Sequence, residues 1–185
     1  MISISENIQL QTITLNDQQK LFELVGNVYP PVYKHLWKKK DCNWYLNTFY
    51  SFENLQKELK EADANYFFVQ YNLKPVGIFR VHFSKTIKEI QDNSSAYLHR
   101  IYLGKEVHGK GIGRLLFNWA EQQARDKGKT SIWLKAMDTQ EQALGFYRKQ
   151  GYHEIGKLSL DFDLIHKPLR GMVIFKKSLR NLSEV

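Results

Sequence analysis

A single cysteine, Cys42, stands in the whole sequence. No disulfide can therefore close within the chain, and such sparing use of cysteine fits a reducing, cytoplasmic setting. Flanked by Asp41 and Asn43, Cys42 reads as an ordinary residue rather than a nucleophile. Long apolar runs are missing too, so no stretch approaches the roughly 20 residues a membrane helix needs. Met1-Ile2-Ser3-Ile4-Ser5-Glu6 lacks the basic stretch and apolar core of an export signal. A soluble protein is expected, without a membrane partner. Dense basic runs are confined to Lys38-Lys39-Lys40, and no zinc-finger or RNA-recognition signature occurs. The formal charge of +8 thus reads as a dispersed basic surface that attracts small anions, not as a nucleic-acid grip. His82, His153 and His166 have no metal-ligand spacing, so no metal is expected.

What the sequence does contain is a globular composition, 43% hydrophobic and 14% aromatic over 185 residues, enough for one domain spanning 1–185. Alternation over Ile8–Thr14 predicts a first strand. Leu21, Leu24, Val25 and Val28 at helical spacing predict a helix that Tyr29-Pro30-Pro31 ends. Two short helices are expected over Asn43–Tyr50 and Phe52–Ala62, the second capped by Ser51. Asn65–Tyr71 and Val76–Phe83 read as a hairpin around a turn at Asn72–Pro75. A polar loop from Ser84 to Asn93 leads to a central strand, Ser95–Leu103. A long helix from about Gly109 follows, with Ile112, Leu115, Leu116, Trp119 and Ala120 forming one apolar stripe. Ser131–Met137 is a further strand, and a capping box at Asp138/Glu141 or Thr139/Gln142 starts the next helix. Two closing strands, Tyr152–Asp161 and Gly171–Lys177, flank a loop. The order predicts an α/β (α+β) fold: a mixed, mostly antiparallel sheet of six to seven strands with helices on both faces. Trp37, Trp44, Tyr45, Phe49 and Tyr50 enrich the early helices in aromatics, most of them core and some candidates for lining a groove.

The stretch His108-Gly109-Lys110-Gly111-Ile112-Gly113-Arg114 joins the central strand to the long helix. Glycines allow a tight curl, and the first N–H groups of a helix have no partner inside it. With the helix dipole, Lys110 and Arg114, they suit a phosphate or pyrophosphate. The phosphate loop of nucleotide hydrolases is not matched. A dinucleotide fingerprint fails in both frames, since the third glycine would fall at Arg114 or Leu116.

This stretch resembles the pyrophosphate loop of the GCN5-related N-acetyltransferases, Gln/Arg-x-x-Gly-x-Gly/Ala. Ala143-Leu144-Gly145-Phe146-Tyr147-Arg148-Lys149-Gln150-Gly151-Tyr152 is similar to the same family's Ala-x-x-Phe-Tyr-x-x-x-Gly-Phe segment. The resemblance implies a fold splayed between the fourth and fifth strands, where acetyl-CoA enters. It implies that Ile101, Tyr102 and Leu103 offer edge backbone groups to the pantetheine arm. The amides of Gly109, Lys110, Gly111, Ile112, Gly113 and Arg114 would hold the pyrophosphate. His108 stands where relatives have Gln or Arg, and Gln140 where they often have Asn. Tyr147 takes the place of the family's general acid, and His99 the place where many relatives carry a glutamate base.

The later strands look most like those of the bacterial spermidine/polyamine acetyltransferases. That branch implies a small-molecule amine acceptor and acidic wall residues, for which Asp41, Glu53, Asp161 and Asp163 are candidates. Protein N-termini, lysines or aminoglycosides are the other acceptors the family offers, and a non-catalytic acyl-CoA-binding module is the other class. A monomer or homodimer fits either.

Overall fold

The computed structural model describes residues 1–85 and 94–179. Most of the polar loop expected over Ser84–Asn93 lies outside the described residues. In chain order the strands are β1 (Ile2–Ser5), β2 (Ile8–Thr12), β3 (Ala64–Tyr71), β4 (Lys74–His82), β5 (Ser95–Leu103), β6 (Ser131–Met137), β7 (His153–Ser159) and β8 (Gly171–Ser178). They form one 8-stranded sheet in the order β1-β2-β3-β4-β5-β6-β8-β7. Among the described residues only β5 and β6 pair in parallel; the other pairings are antiparallel. A parallel pair needs a long crossover, and the helix between these two strands supplies it.

The helices are α1 (Gln18–Val28), α2 (Pro30–Tyr33), α3 (Asn43–Phe49), α4 (Phe52–Leu59), α5 (Ile112–Asp126) and α6 (Glu141–Lys149). The stripe of α5 packs Ile112, Leu116, Phe117 and Ala120 against Phe79, Leu98, Leu134 and Phe175 on one face of the sheet. The opposite face meets α1, α3 and α4 through Leu21, Val25, Leu46 and Leu55, which surround Phe68 and Ile78. Burying both faces of the strands is what the apolar runs in β3 and β4 require. Ser51 caps α4 as expected, its Oγ accepting from the Asn54 N–H at 3.2 Å.

Three details depart from the sequence reading. The eighth strand, β1, is four residues with half its side chains exposed, too short to show a period. Helix α5 begins at Ile112, not Gly109, because Gly109 and Gly111 both sit at φ +76, in the left-handed region. Helix α6 has neither expected capping box: its N-cap is Gln140, without a side-chain cap. The register of β6 against β8 decides this, since it continues past Met137 and ties the Asp138 N–H to the Gly171 carbonyl at 3.0 Å.

Candidate active site

The parallel pairing of β5 with β6 stops at Leu98 and Leu134. Strand β6 remains paired with β8 as far as Met137 and Met172, so it is β5 that departs. The cause lies at His99. Against β4, Arg100 stands opposite Arg80 and Leu98 opposite Val81, which leaves His99 as an extra, bulged residue. A bulge bends its strand and increases the local twist. It also shifts the phase of the side chains: Ala96 and Leu98 before it, and Ile101 and Leu103 after it, all pack on the α5 side. Tyr102 turns to the opposite face. The splay opens a cavity of about 250 Å³ whose lining includes Leu98–Tyr102, Leu134–Met137, Gln140, Ala143 and Tyr147. Beyond Leu98 the β6-facing backbone of β5, at Ile101, Tyr102 and Leu103, has no strand partner among the described residues.

Beside this opening the chain curls from β5 into α5. Gly104 bonds its N–H to the Val76 carbonyl at 2.8 Å, and Lys105–Val107 makes one turn. Among the described residues, no acceptor in the chain engages the N–H groups of Gly109, Gly111, Ile112, Gly113 or Arg114. Lys110 differs, since its N–H bonds to the Val107 carbonyl at 3.3 Å. A Cβ on Gly109 or Gly111 would meet nothing within 4 Å, so both glycines face open space. Successive free amides at a helix start, with the dipole behind them, suit an oxyanion such as phosphate. The side chain of His108 lies elsewhere, its Nε2 3.4 Å from the Leu103 carbonyl. Lys110 reaches over the Tyr71 ring at 5.2 Å.

Tyr147 is held by rings. Phe117 stacks on it at 5.7 Å, Phe146 meets it edge-on at 5.7 Å, and Phe175 tilts against it at 5.7 Å. Tyr147 lines the cavity, and its hydroxyl has no hydrogen-bond partner among the described residues. Burial pushes its pKa up to about 12, so the phenol keeps its proton at neutral pH. Gln140 lines the same cavity from the start of α6.

His99 belongs to a buried ionic cluster that nothing in the sequence spacing announced. Arg80 is fully buried and donates through Nη1 to His99 Nδ1. A guanidinium cannot accept, so Nδ1 carries the lone pair and the ring proton sits on Nε2. Burial first, then the positive charges of Arg100 and Arg80, hold the imidazole far below its usual pKa. This geometry suits a neutral hydrogen-bond donor and leaves no free basic nitrogen for the base role expected of His99. Glu58 neutralises the arginines, 3.5 Å from Arg80 and 2.8 Å from Arg100. Glu61 adds contacts of 3.0 Å to Arg80 and 3.3 Å to His82. The available signal was a charged residue inside each of two otherwise apolar strands, Arg80 and Arg100, which demands buried partners.

The cluster makes stability depend on pH. His82 is pushed down to about 3, by burial first and then by Arg80, Lys85 and Arg100. His99 is displaced in the same direction. Near the ordinary histidine value of 6.5 the unfolded chain takes up protons that the folded chain refuses. Stability therefore falls on acidification, by about 1.4 kcal/mol per pH unit for each histidine between about pH 6 and pH 4. Urea midpoints measured from pH 7 downward should show this slope; a level midpoint would contradict it.

The remaining wall is aromatic. Tyr29 lies just past α1, Tyr33 ends α2, Trp37 lies in the turns after it, Tyr45 and Phe49 belong to α3, and Phe162 comes from the loop after β7. Tyr29 stacks on Tyr45 at 4.3 Å and on Tyr33 at 4.6 Å. The Tyr45 and Tyr102 hydroxyls are 2.8 Å apart, and Trp37 Nε1 donates to the Tyr29 hydroxyl at 3.2 Å. Of the expected aromatics, Trp37, Tyr45 and Phe49 reach the cavity, whereas Tyr50 is buried in the core and Trp44 lies at the surface. No Asp or Glu lines the cavity among the described residues. Cys42 is buried and its thiol is pushed up, by burial and by Asp41, so it stays protonated. No cluster of metal-ligating residues occurs among the described residues, and no helix among them is long and apolar enough to cross a membrane.

A mixed sheet parted at one parallel pair, with unpaired amides where β5 runs on into α5, defines the class. The chain belongs to the acetyltransferase (GNAT) family, which its residues 22–152 match. It is 29% identical over 147 residues to an uncharacterized N-acetyltransferase of Methanocaldococcus jannaschii, covering 78% of this chain and 60% of that protein. With an uncharacterized N-acetyltransferase of Lactobacillus delbrueckii subsp. lactis it shares 25% over 112 residues, 60% of this chain and 65% of that one. The chain thus spans less than two thirds of these relatives' length. Among solved structures, the PaiA N-acetyltransferase of Thermoplasma acidophilum in complex with coenzyme A superposes with a TM-score of 0.69 at 21% identity, over 92% of this chain and 98% of that one. A spermidine N-acetyltransferase of Vibrio cholerae gives 0.65 at 17%, over 97% and 100%.

Proposed function

We propose that this chain transfers an acetyl group from acetyl-CoA to a primary amine by direct attack in a ternary complex. One juxtaposition carries the reading: β5, whose edge opens at the splay, runs on into a curl with unpaired amides at Gly109 and from Gly111 to Arg114, and an unpartnered phenol, Tyr147, lines the cavity at that splay. The amides suit the pyrophosphate of coenzyme A, and the edge groups of Ile101, Tyr102 and Leu103 suit its pantetheine amides. The coenzyme A complex of the Thermoplasma acidophilum relative supports this assignment. In the reaction the amine nitrogen bonds to the acetyl carbon, the carbon–sulfur bond breaks, the nitrogen loses a proton and the sulfur leaves as thiolate. A phenol that keeps its proton offers that sulfur a hydrogen bond and a proton source. His99 acts as a donor, and the amine's proton passes to water.

The polyamine assignment draws support from the Vibrio cholerae structure, but only as a shared fold. The acidic wall it needs is not among the lining residues: Asp41, Glu53, Asp161 and Asp163 are all solvent-exposed and none of them lines the cavity. Calorimetry tests the cosubstrate. Folded protein should bind coenzyme A, and Gly111→Ala should weaken binding at least about tenfold, because a Cβ strains the left-handed backbone and crowds the anion. Folded wild-type protein that gives no binding heat would end this reading.

A further inference from the structure

We propose that the acceptor is a compact primary amine on an aromatic or similarly flat apolar body, carrying a single cationic centre. This deepens the acetyl-transfer reading and rests on it. The cavity lining divides by element. Strands β5 and β6 with α6 contribute the edge of the splay, the side chains of His99, Tyr102 and Lys135, and Tyr147; the remaining wall combines Tyr29, Tyr33, Trp37, Tyr45, Phe49 and Phe162 with the aliphatic side chains of Leu36, Leu160, Ile165 and Met172.

That wall is built, not incidental. The segment carrying Trp37 and the loop carrying Phe162 are clasped together: Lys38 N–H bonds to the Leu164 carbonyl at 2.8 Å, His166 N–H to the Leu36 carbonyl at 2.9 Å, and Trp37 bridges to Ile165. Arg170 closes the loop on itself, through the Ile165 carbonyl at 3.2 Å and Asp163 at 3.1 Å. Phe162 then stacks along Trp37 at 6.5 Å and meets Phe49 at 6.0 Å. Tyr29 and Trp37 are buried behind this wall, and the half-buried rings of Tyr33, Tyr45, Phe49 and Phe162 offer the apolar surface, which favours a flat apolar body and accepts one ammonium by cation–π attraction before it loses its proton.

The same lining rejects a polycation. Its charged members are Arg100, already paired with Glu58, and Lys135. Among the described residues Lys135 has no carboxylate partner; its Nζ lies over the Trp133 ring at 5.8 Å. A second or third ammonium on the acceptor would meet aromatic rings and this lysine, with no anion to replace the water it leaves.

The test is thiol release from acetyl-CoA by the full chain, with 2-phenylethylamine compared against spermidine and putrescine. The expected kcat/KM is at least tenfold higher for 2-phenylethylamine. Phe162→Ala should raise KM for that amine about tenfold with coenzyme A affinity unchanged, as expected from the loss of one aromatic contact. Calorimetry with coenzyme A runs alongside. Bound coenzyme A with turnover only of the polyamines, or of no amine in the panel, overturns the acceptor and spares the transfer reading. An unchanged KM in Phe162→Ala also overturns it. Absence of coenzyme A binding removes both.

Discussion

Tyr147→Phe should lower kcat for acetyl transfer by about 10²–10⁴-fold while coenzyme A affinity stays within a few-fold. The substitution removes one oxygen and little else. Phe117, Phe146 and Phe175 hold the ring, and a phenylalanine keeps all three contacts. The hydroxyl has no hydrogen-bond partner among the described residues, so the folded state loses no bond, and stability should change by less than about 1 kcal/mol. Catalysis is different, because Tyr147 is the cavity-lining phenol that the Phe-Tyr motif supplies, and its proton is the one proposed for the departing sulfur. Single-turnover thiol release, with melting curves for both proteins, separates the two effects. A variant as fast as the wild type would mean that water protonates the sulfur and that Tyr147 is packing alone.

Arg80→Met should destabilise the fold by about 3–5 kcal/mol, a drop in melting temperature of roughly 6–20 °C for a chain of this size. Arg80 is entirely buried and touches Glu58, Glu61 and His99. Methionine fills similar volume but leaves Glu58 with Arg100 as its one remaining cation. Removing one member of a buried charge set costs more than the set contributes as a whole, since the partner charge stays desolvated. The double variant Arg80→Met with Glu61→Gln should therefore recover part of the loss. A single-variant loss under about 1 kcal/mol would show that water reaches these carboxylates.

The two proposals about chemistry depend on this cluster in different ways. The acceptor wall stands apart from it. The state of His99 depends on it directly, because Arg80 occupies Nδ1 and so decides which nitrogen carries the proton. Sequence position alone placed His99 where a base is expected; only its neighbour shows that the ring presents a donor.

Local rules were enough for much of this molecule. The stripe of α5, the Ser51 cap, the hairpin β3–β4 and the glycine-rich curl after β5 follow from side-chain period, hydrogen-bonding hydroxyls and glycine's tolerance of positive φ, all readable a few residues at a time. The glycine and Phe-Tyr motifs likewise marked the stretches on which the proposed site is built. Tertiary structure decided the rest. The bulge at His99 exists because β4 and β5 must pair around it, and no local pattern encodes an extra residue in a ladder. Asp138 and Thr139 do not cap α6 because the Asp138 N–H is bonded to the Gly171 carbonyl of a strand 33 residues away in number. The aromatic wall joins residues around 30–49 to Phe162, and the ionic cluster joins Glu58 and Glu61 to Arg80, His82, His99 and Arg100. Partners so far apart along the chain meet only when the sheet brings their strands side by side, so which amine fits and which proton His99 holds are properties of the folded packing.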